Sequence, residues 1–254
     1  PTDPEQADTK QFVLKLQTKR SFKPLTLGKI FAKKVKVGFT SDKHFANIDS
    51  QPSCIKRAYE DAEKENIEAM CDTGDLTAGL SVHPANEDKV IIAPIQGQML
   101  LAADLHPRPK FKQYLIAGDH DIWANKRIGD LMGHIFAKAR PDINYLGPLK
   151  GNVDVNGLKI KLMHPGGGPG YALSYQAQKR IESEIRRMLS RRRKERDQVL
   201  ALGNWHVANW QFNGGVAVIV VPCFQEQTAD YMMRKGLDPW IGMWIMEFTM
   251  DNEG

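Results

Sequence analysis

Five short stretches of this chain carry side chains able to hold a metal ion or move a proton. They are "SDKHF" with Asp42 and His44, "TGDL" with Asp75, "AGDHD" with Asp119, His120 and Asp121, "MHPGGG" with His164, and "GNWH" with Asn204 and His206. Taken singly, an Asp-x-His or a Gly-Asp is most often a polar turn in which a short side chain caps nearby backbone. Their placement sets these apart: of the seven histidines, His44, His120, His164 and His206 each follow a predicted strand, while His83, His106 and His134 do not. Carboxylates and imidazoles converging from separate strand ends are what a two-metal site requires, because they must hold two cations ~4 Å apart and offset their charge.

The elements that would position these residues can be read from periodicity and breakers. "KKVKVGFTSD" (33–42) is β-rich and ends in a polar turn, and "PSCIKRAYEDAEKENIEAMCDTGD" gives an amphipathic helix followed by a strand ending at Asp75. In the segment 79–113, "IQGQMLLAADL" reads as a helix, and Pro107 and Pro109 break the chain before the strand "QYLIAG". That segment is long enough to form a lid or specificity element. "DINYLG" and "VNGLKIKLM" supply further strands. Residues 171–196 lack Pro and, with Ile181, Ile185, Met188 and Leu189 at helical spacing, read as a long surface helix. "DQVLALG", "GGVAVIVVPCFQ" and "WIGMWIMEF" complete the strands. Residues 1–34 are polar and lysine-rich and read as a short helix or an extended arm, followed by one domain over 35–254. Strands alternating with helices, and polar clusters at strand ends, predict an α/β domain with its site at one sheet edge.

Composition narrows the function classes. The chain has 254 residues, 42% hydrophobic and 26% charged, as expected of a globular protein with a sizeable core. No apolar run approaches the ~20 residues that span a bilayer, and nothing near the start has the order of a signal peptide. The expectation is therefore a cytoplasmic protein without membrane association. Cys54, Cys71 and Cys223 are odd in number and far apart, which suggests neither a disulfide framework nor a zinc knuckle. A formal charge of +5 favours polyanionic partners, though only mildly.

In sequence and in order, the five stretches resemble the five motifs of the calcineurin-like metallophosphoesterases, usually written D-x-H, G-D, G-N-H-[DE], H and G-H-x-H. The resemblance covers roughly residues 35–225 and points to the phosphodiesterase and nuclease group. It implies a four-layer αββα sandwich, two mixed β-sheets flanked by helices, with the metals at the strand ends. By matched position, Asp42, His44, Asp75 and His206 would hold the first metal. Asp75 would bridge to the second, whose other ligands would be Asp119, His164 and Asn204. His120 would give a proton to the leaving oxygen, Asp121 would orient His120, and a bridging hydroxide would attack phosphorus. The implied substrate is a phosphodiester, with DNA or RNA as candidates.

Two positions depart from the motifs. Asp119 stands where the family has asparagine, and Asn204 where it has the first histidine of G-H-x-H. Both changes fall on the second metal and make its donors harder and richer in oxygen. Manganese is thus the expected ion, with magnesium, iron or zinc as alternatives, and the second site is expected to be weak or empty. The altered ligands leave a competing expectation, a weakened or inactive relative acting as a nucleic-acid-binding accessory or structural subunit. Lys43, between two ligands, would repel metals unless strand-end alternation points it away. "MHPGGGPG" suits either a tight turn or a phosphate cradle. The run 186–196 holds seven basic residues against one acid, and Arg191, Arg192, Arg193 and Lys194 are its candidate nucleic-acid contacts, against the plain reading of a solvated helix face. Trp205 and Trp210 either stack on a base or pack against the sheet.

Overall fold

The computed structural model describes residues 13–16, 33–80, 84–125, 129–168, 170, 172, 174–190, 198–226 and 239–250. Eleven strands among the described residues form two sheets. The first runs β1 (Val13–Leu16), β11 (Trp244–Met250), β2 (Lys33–Thr40), β3 (Ala69–Asp72), β4 (Lys112–Ala117), β5 (Ile143–Pro148). The second runs β6 (Lys150–Val155), β7 (Leu158–Met163), β8 (Val199–Leu202), β10 (Val216–Val220), β9 (Asn209–Asn213). Both are mixed: β2, β3, β4 and β5 are parallel, as are β7, β8 and β10, while β11 meets β2, β6 meets β7 and β9 meets β10 antiparallel.

The sheets face each other across one apolar core. Val35, Val37 and Phe39 of β2 interleave with Ile160, Leu162, Ala201 and Ile219 of the second sheet. Parallel strands covered on both faces read as unbroken apolar runs, as in the buried "VLAL" of β8 and "VAVIV" of β10. Over the outer face of the first sheet lie α1 (Pro52–Lys64) and α2 (Ile95–Leu105). Helix α1 starts on a proline and buries Ile55, Ala58, Tyr59 and Ala62, one stripe at i, i+3, i+4, i+7. After β4 comes α3 (Asp119–Ile122), a single turn, and over the outer face of the second sheet lies α4 (Tyr175–Ser190), which buries Ala177 and Ile181. This is the four-layer αββα sandwich.

Several boundaries differ from the sequence reading. Val13–Leu16, within the segment read as arm or short helix, pairs as an edge strand with β11. β3 stops at Asp72, so Gly74 and Asp75 lie in the loop beyond it. β9 was not foreseen; its inward residues are only partly covered, and Trp210 and Phe212 remain exposed, which leaves no continuous apolar pattern. Among the described residues, no helix is long and apolar enough to cross a membrane.

Candidate metal centre

Parallel pairing sends β2, β3 and β4 toward the same edge of the first sheet, and β7 and β8 toward one edge of the second. The five motifs therefore fall on five loops, and cross-sheet bonds bring those loops together. His164 Nδ1 lies 2.7 Å from the Thr73 carbonyl, the Asn204 amide donates to Asp42 Oδ2 at 3.0 Å, and the Phe224 amide donates to the Asp42 carbonyl at 3.0 Å. Within the first sheet, Asp42 N donates to Gly74 O, His44 N to Asp75 O and Phe45 N to Leu76 O, all within 3.0 Å.

Local backbone conformation is the feature these residues share. Asp42, His44, Asp75, Asn204 and His206 all have positive φ, between 46° and 78°. Asp, Asn and His tolerate this left-handed region better than most residues, yet it still costs ~1–2 kcal/mol each. Such conformations persist where the surroundings over-determine them, as the lacing bonds do here. The two Gly-Asp turns add a steric demand. A Cβ on Gly118 would lie 2.2 Å from Asp75 Oδ1, and one on Gly74 would lie 2.5 Å from Gly118 N, so the turns fit only with both side chains absent.

Six predicted site residues converge. Ligand atoms of Asp42, His44 and His206, of His44, Asp75 and His120, and of Asp42, Asp75 and His164 each lie within 4.8 Å of one another. Asp75 Oδ2 stands between the groups, 3.9 Å from His44 Nε2 and 3.2 Å from His164 Nε2. His206 Nε2 lies 3.3 Å from Asp42 Oδ1 and 3.2 Å from His44 Nε2. Asp42 Oδ1 and His164 Nε2 are buried and make no well-directed hydrogen bond, meeting only the ion-pair neighbours His206 and Asp75, an arrangement that suits metal ligands. The bond from His164 Nδ1 to Thr73 O places the ring proton on Nδ1 and leaves Nε2 as a donor to metal. Oxygen and imidazole donors converging in this way fit a divalent cation.

The metal-free charge balance agrees. Burial pushes His44 down to about 3, helped by His120 and His206, so it is neutral. Burial alone would also depress His164, but the Asp75 and Asp42 carboxylates outweigh it and hold it up at about 10. His206 is likewise raised against burial, by Cys223 and Asp42. Burial would raise Asp75, yet His164 and His120 hold it well below the usual carboxylate range. Without metal, protons on imidazole supply the positive charge these carboxylates demand.

Asp119 is not brought into those groups. The half-buried Asp119 faces the glycine loop, its Oδ2 3.6 Å from where a Cβ of Gly166 would be. Asn204 Nδ2 donates to Pro165 O at 2.6 Å and Gly167 O at 2.9 Å, so its amide clasps that loop. Trp205 Nε1 donates to Gly167 O as well; its ring is buried, which removes it as a base-stacking platform, whereas Trp210 is exposed.

The role expected of Asp121 also changes. Its carboxylate accepts from Leu76 N, Thr77 N, Thr77 Oγ1 and Gly118 N, cinching the loop after Asp75 to the turn after β4. His120 is instead oriented through Nδ1 by the Ala78 carbonyl, with Nε2 turned to the site 4.0 Å from Asp75 Oδ2. Asp121 therefore acts on His120 only through the loop it secures. Gln98 of α2, fully buried, bonds both Gly79 N and Gly79 O, so the segment read as a lid supplies a clamp beside Ala78. No sequence signal singled out Gln98; a glutamine within an apolar helix run is the nearest clue. Lys43 points away from the converging ligand atoms: fully buried, it bonds Asp72 and Thr40 Oγ1. Arg191, Arg192, Arg193 and Lys194 lie outside the described residues.

No family model matches the chain, and no curated protein matches it. Among solved structures, it is similar to an archaeal phosphodiesterase, at 16% identity over 74% of this chain and 84% of that one, with a TM-score of 0.45. It is also similar to vacuolar protein sorting 29 from Cryptosporidium parvum, at 14% identity over 85% and 86%, TM-score 0.47. A zinc-complexed Vps29 from Entamoeba histolytica matches at 13% identity over 87% and 95%, TM-score 0.41. With similarities this low, the roles of the residues rest on this chain's own geometry.

Proposed function

We propose that this chain is a metal-dependent phosphoester hydrolase of the calcineurin-like metallophosphoesterase type, acting on phosphodiesters. The observation that carries the reading is the convergence of buried carboxylate and imidazole ligand atoms from Asp42, His44, Asp75, His120, His164 and His206 in overlapping groups, each within 4.8 Å. Asp42, His44, Asp75, His164 and His206 would hold the metal, three imidazoles and two carboxylates that suit a borderline divalent cation, with manganese proposed. When bound, divalent cations supply Lewis-acid polarisation of a phosphoryl oxygen and offset the carboxylate charge.

The remaining work falls to the chain itself. Backbone lacing fixes Asp42, His44 and Asp75 before any ligand arrives, so little ordering is left for binding. The Ala78 carbonyl holds the His120 ring through Nδ1, and a proton on Nε2 is then placed for transfer to a leaving alkoxide. A nucleic acid is the proposed substrate class; the charge of +5 and the basic run 186–196 support it. A second reading, an accessory protein with little turnover, is favoured by Asn204 standing where the motif has an imidazole donor.

Purified protein with added Mn²⁺, assayed on bis(p-nitrophenyl) phosphate, single-stranded DNA and RNA, tests the proposal. Turnover should fall by about 100-fold or more in His120→Ala. Turnover equal to that of His120→Ala would favour the accessory reading. Reversing the charges of Arg191, Arg192 and Arg193 should weaken nucleic-acid binding in a salt-dependent way; unchanged affinity would remove the nucleic-acid assignment.

A further inference from the structure

Lys43 occupies the middle of the Asp42-x-His44 loop, where a cation has no evident business, and is fully buried. Its ammonium bonds the Asp72 carboxylate at the end of β3 and, at 3.0 Å, Thr40 Oγ1 at the end of β2. It also lies 5.8 Å from the ring centroid of Tyr59 in α1 and 6.0 Å from that of Phe224. Asp72 uses its other oxygen, Oδ1, to accept the Gly74 amide at 3.0 Å, next to Asp75. One carboxylate thus joins the loop that carries Asp42 and His44 to the loop that carries Asp75. The Lys43 carbonyl is held too, accepting from Ser50 Oγ at 2.7 Å.

Apolar filling would be the simpler solution at such a site, since a buried ion pair often stabilises no more than hydrophobic side chains of the same volume. What an ion pair adds is a defined position, because charged partners in a low-dielectric interior accept few alternative geometries. The residues on either side of Lys43 both hold left-handed backbone and both present ligand atoms. We propose that Lys43 and Asp72 form a buried strut that positions Asp42, His44 and Asp75 for metal. They are positioning residues, and the assignment rests on the reading of those three as ligands.

The test compares wild type with Asp72→Asn and the double variant Lys43→Met/Asp72→Asn, by Mn²⁺ titration calorimetry and by thermal unfolding of the metal-free proteins. The double variant removes both charges at nearly constant volume and keeps a side-chain oxygen for the Gly74 amide. Its metal-free melting temperature should stay near that of wild type while its Mn²⁺ affinity falls at least ~tenfold, as for residues that orient metal ligands. Asp72→Asn strands the buried Lys43 charge and should melt earlier than the double variant; measured below its own transition it should lose affinity in the same direction, which keeps the question answerable if the double variant does not fold. Mn²⁺ affinity within about twofold of wild type in a folded variant would overturn the strut while leaving the metal centre intact. Failure of the wild type itself to bind Mn²⁺ would overturn both.

Discussion

The two halves of the candidate centre are built differently. On one side, Asp42, His44, Asp75, His164 and His206 are buried, and their ligand atoms, with that of His120, fall into overlapping groups of three that each span no more than 4.8 Å. On the other, Asp119 is half-buried against Gly166, and Asn204 spends its amide on the carbonyls of Pro165 and Gly167. The first half gathers carboxylate and imidazole atoms around one point, whereas in the second the Asn204 side-chain nitrogen is tied to the glycine loop and Asp119 stands at the rim.

The largest effect should come from a neutral substitution at the junction. Asp75→Asn removes the carboxylate that lies 3.2 Å from His164 and 3.9 Å from His44. Mn²⁺ affinity should fall by more than the ~10 to 100-fold seen when only a ligand's neighbour is changed. The same change at the rim, Asp119→Asn, should cost the tightest-bound ion less than about threefold. Comparable losses in the two variants, measured by calorimetric titration, would erase the distinction between the halves.

Proton competition gives a smaller effect with a defined sign. In the metal-free protein the Asp75 and Asp42 carboxylates keep His164 protonated up to about pH 10, and His206 is raised as well. A cation must displace these protons, so affinity should rise with pH, by up to about tenfold per unit for each proton released. His44, already neutral above about pH 3, adds nothing to that slope. Between pH 6 and 9 the tight site should therefore strengthen steadily. A flat profile would mean that His164 and His206 are not ligands.

How much of this was legible in the sequence follows from what each feature depends on. The strands before Asp42, His120, His164 and His206 could be read because burial on both faces or alternation leaves a periodic trace. The candidate residues could be picked out because Asp and His recur after those strands in an order that resembles a family's motifs, and six of them converge in the structure. What could not be read were bonds that depend on geometry between distant segments. Asp121 looks like a partner for its neighbour His120, yet its acceptors are filled from residues 76 and 77, 45 and 44 positions away. Lys43 looked like a charge beside metals until alternation at the strand end carried it to Asp72 on the α1 side of the sheet. The Asn204 substitution was visible; its hold on a loop 39 and 37 residues earlier was not.

That hold makes the smallest predicted effect the most discriminating. Restoring the family's residues, Asn204→His with Asp119→Asn, supplies an imidazole donor where an amide stood. A neutral imidazole has one N–H, so it can keep at most one of the two bonds to Pro165 O and Gly167 O, and the glycine loop should loosen. If the halves are separate, Mn²⁺ titration should show a second, weaker equivalent appearing while the affinity of the first stays within about threefold of wild type. The Asn204 backbone bond to Asp42 Oδ2 survives the substitution, which is why the tight half should be spared. A tenfold loss at the first equivalent would instead show that the loop clasp and the tight half are mechanically one unit.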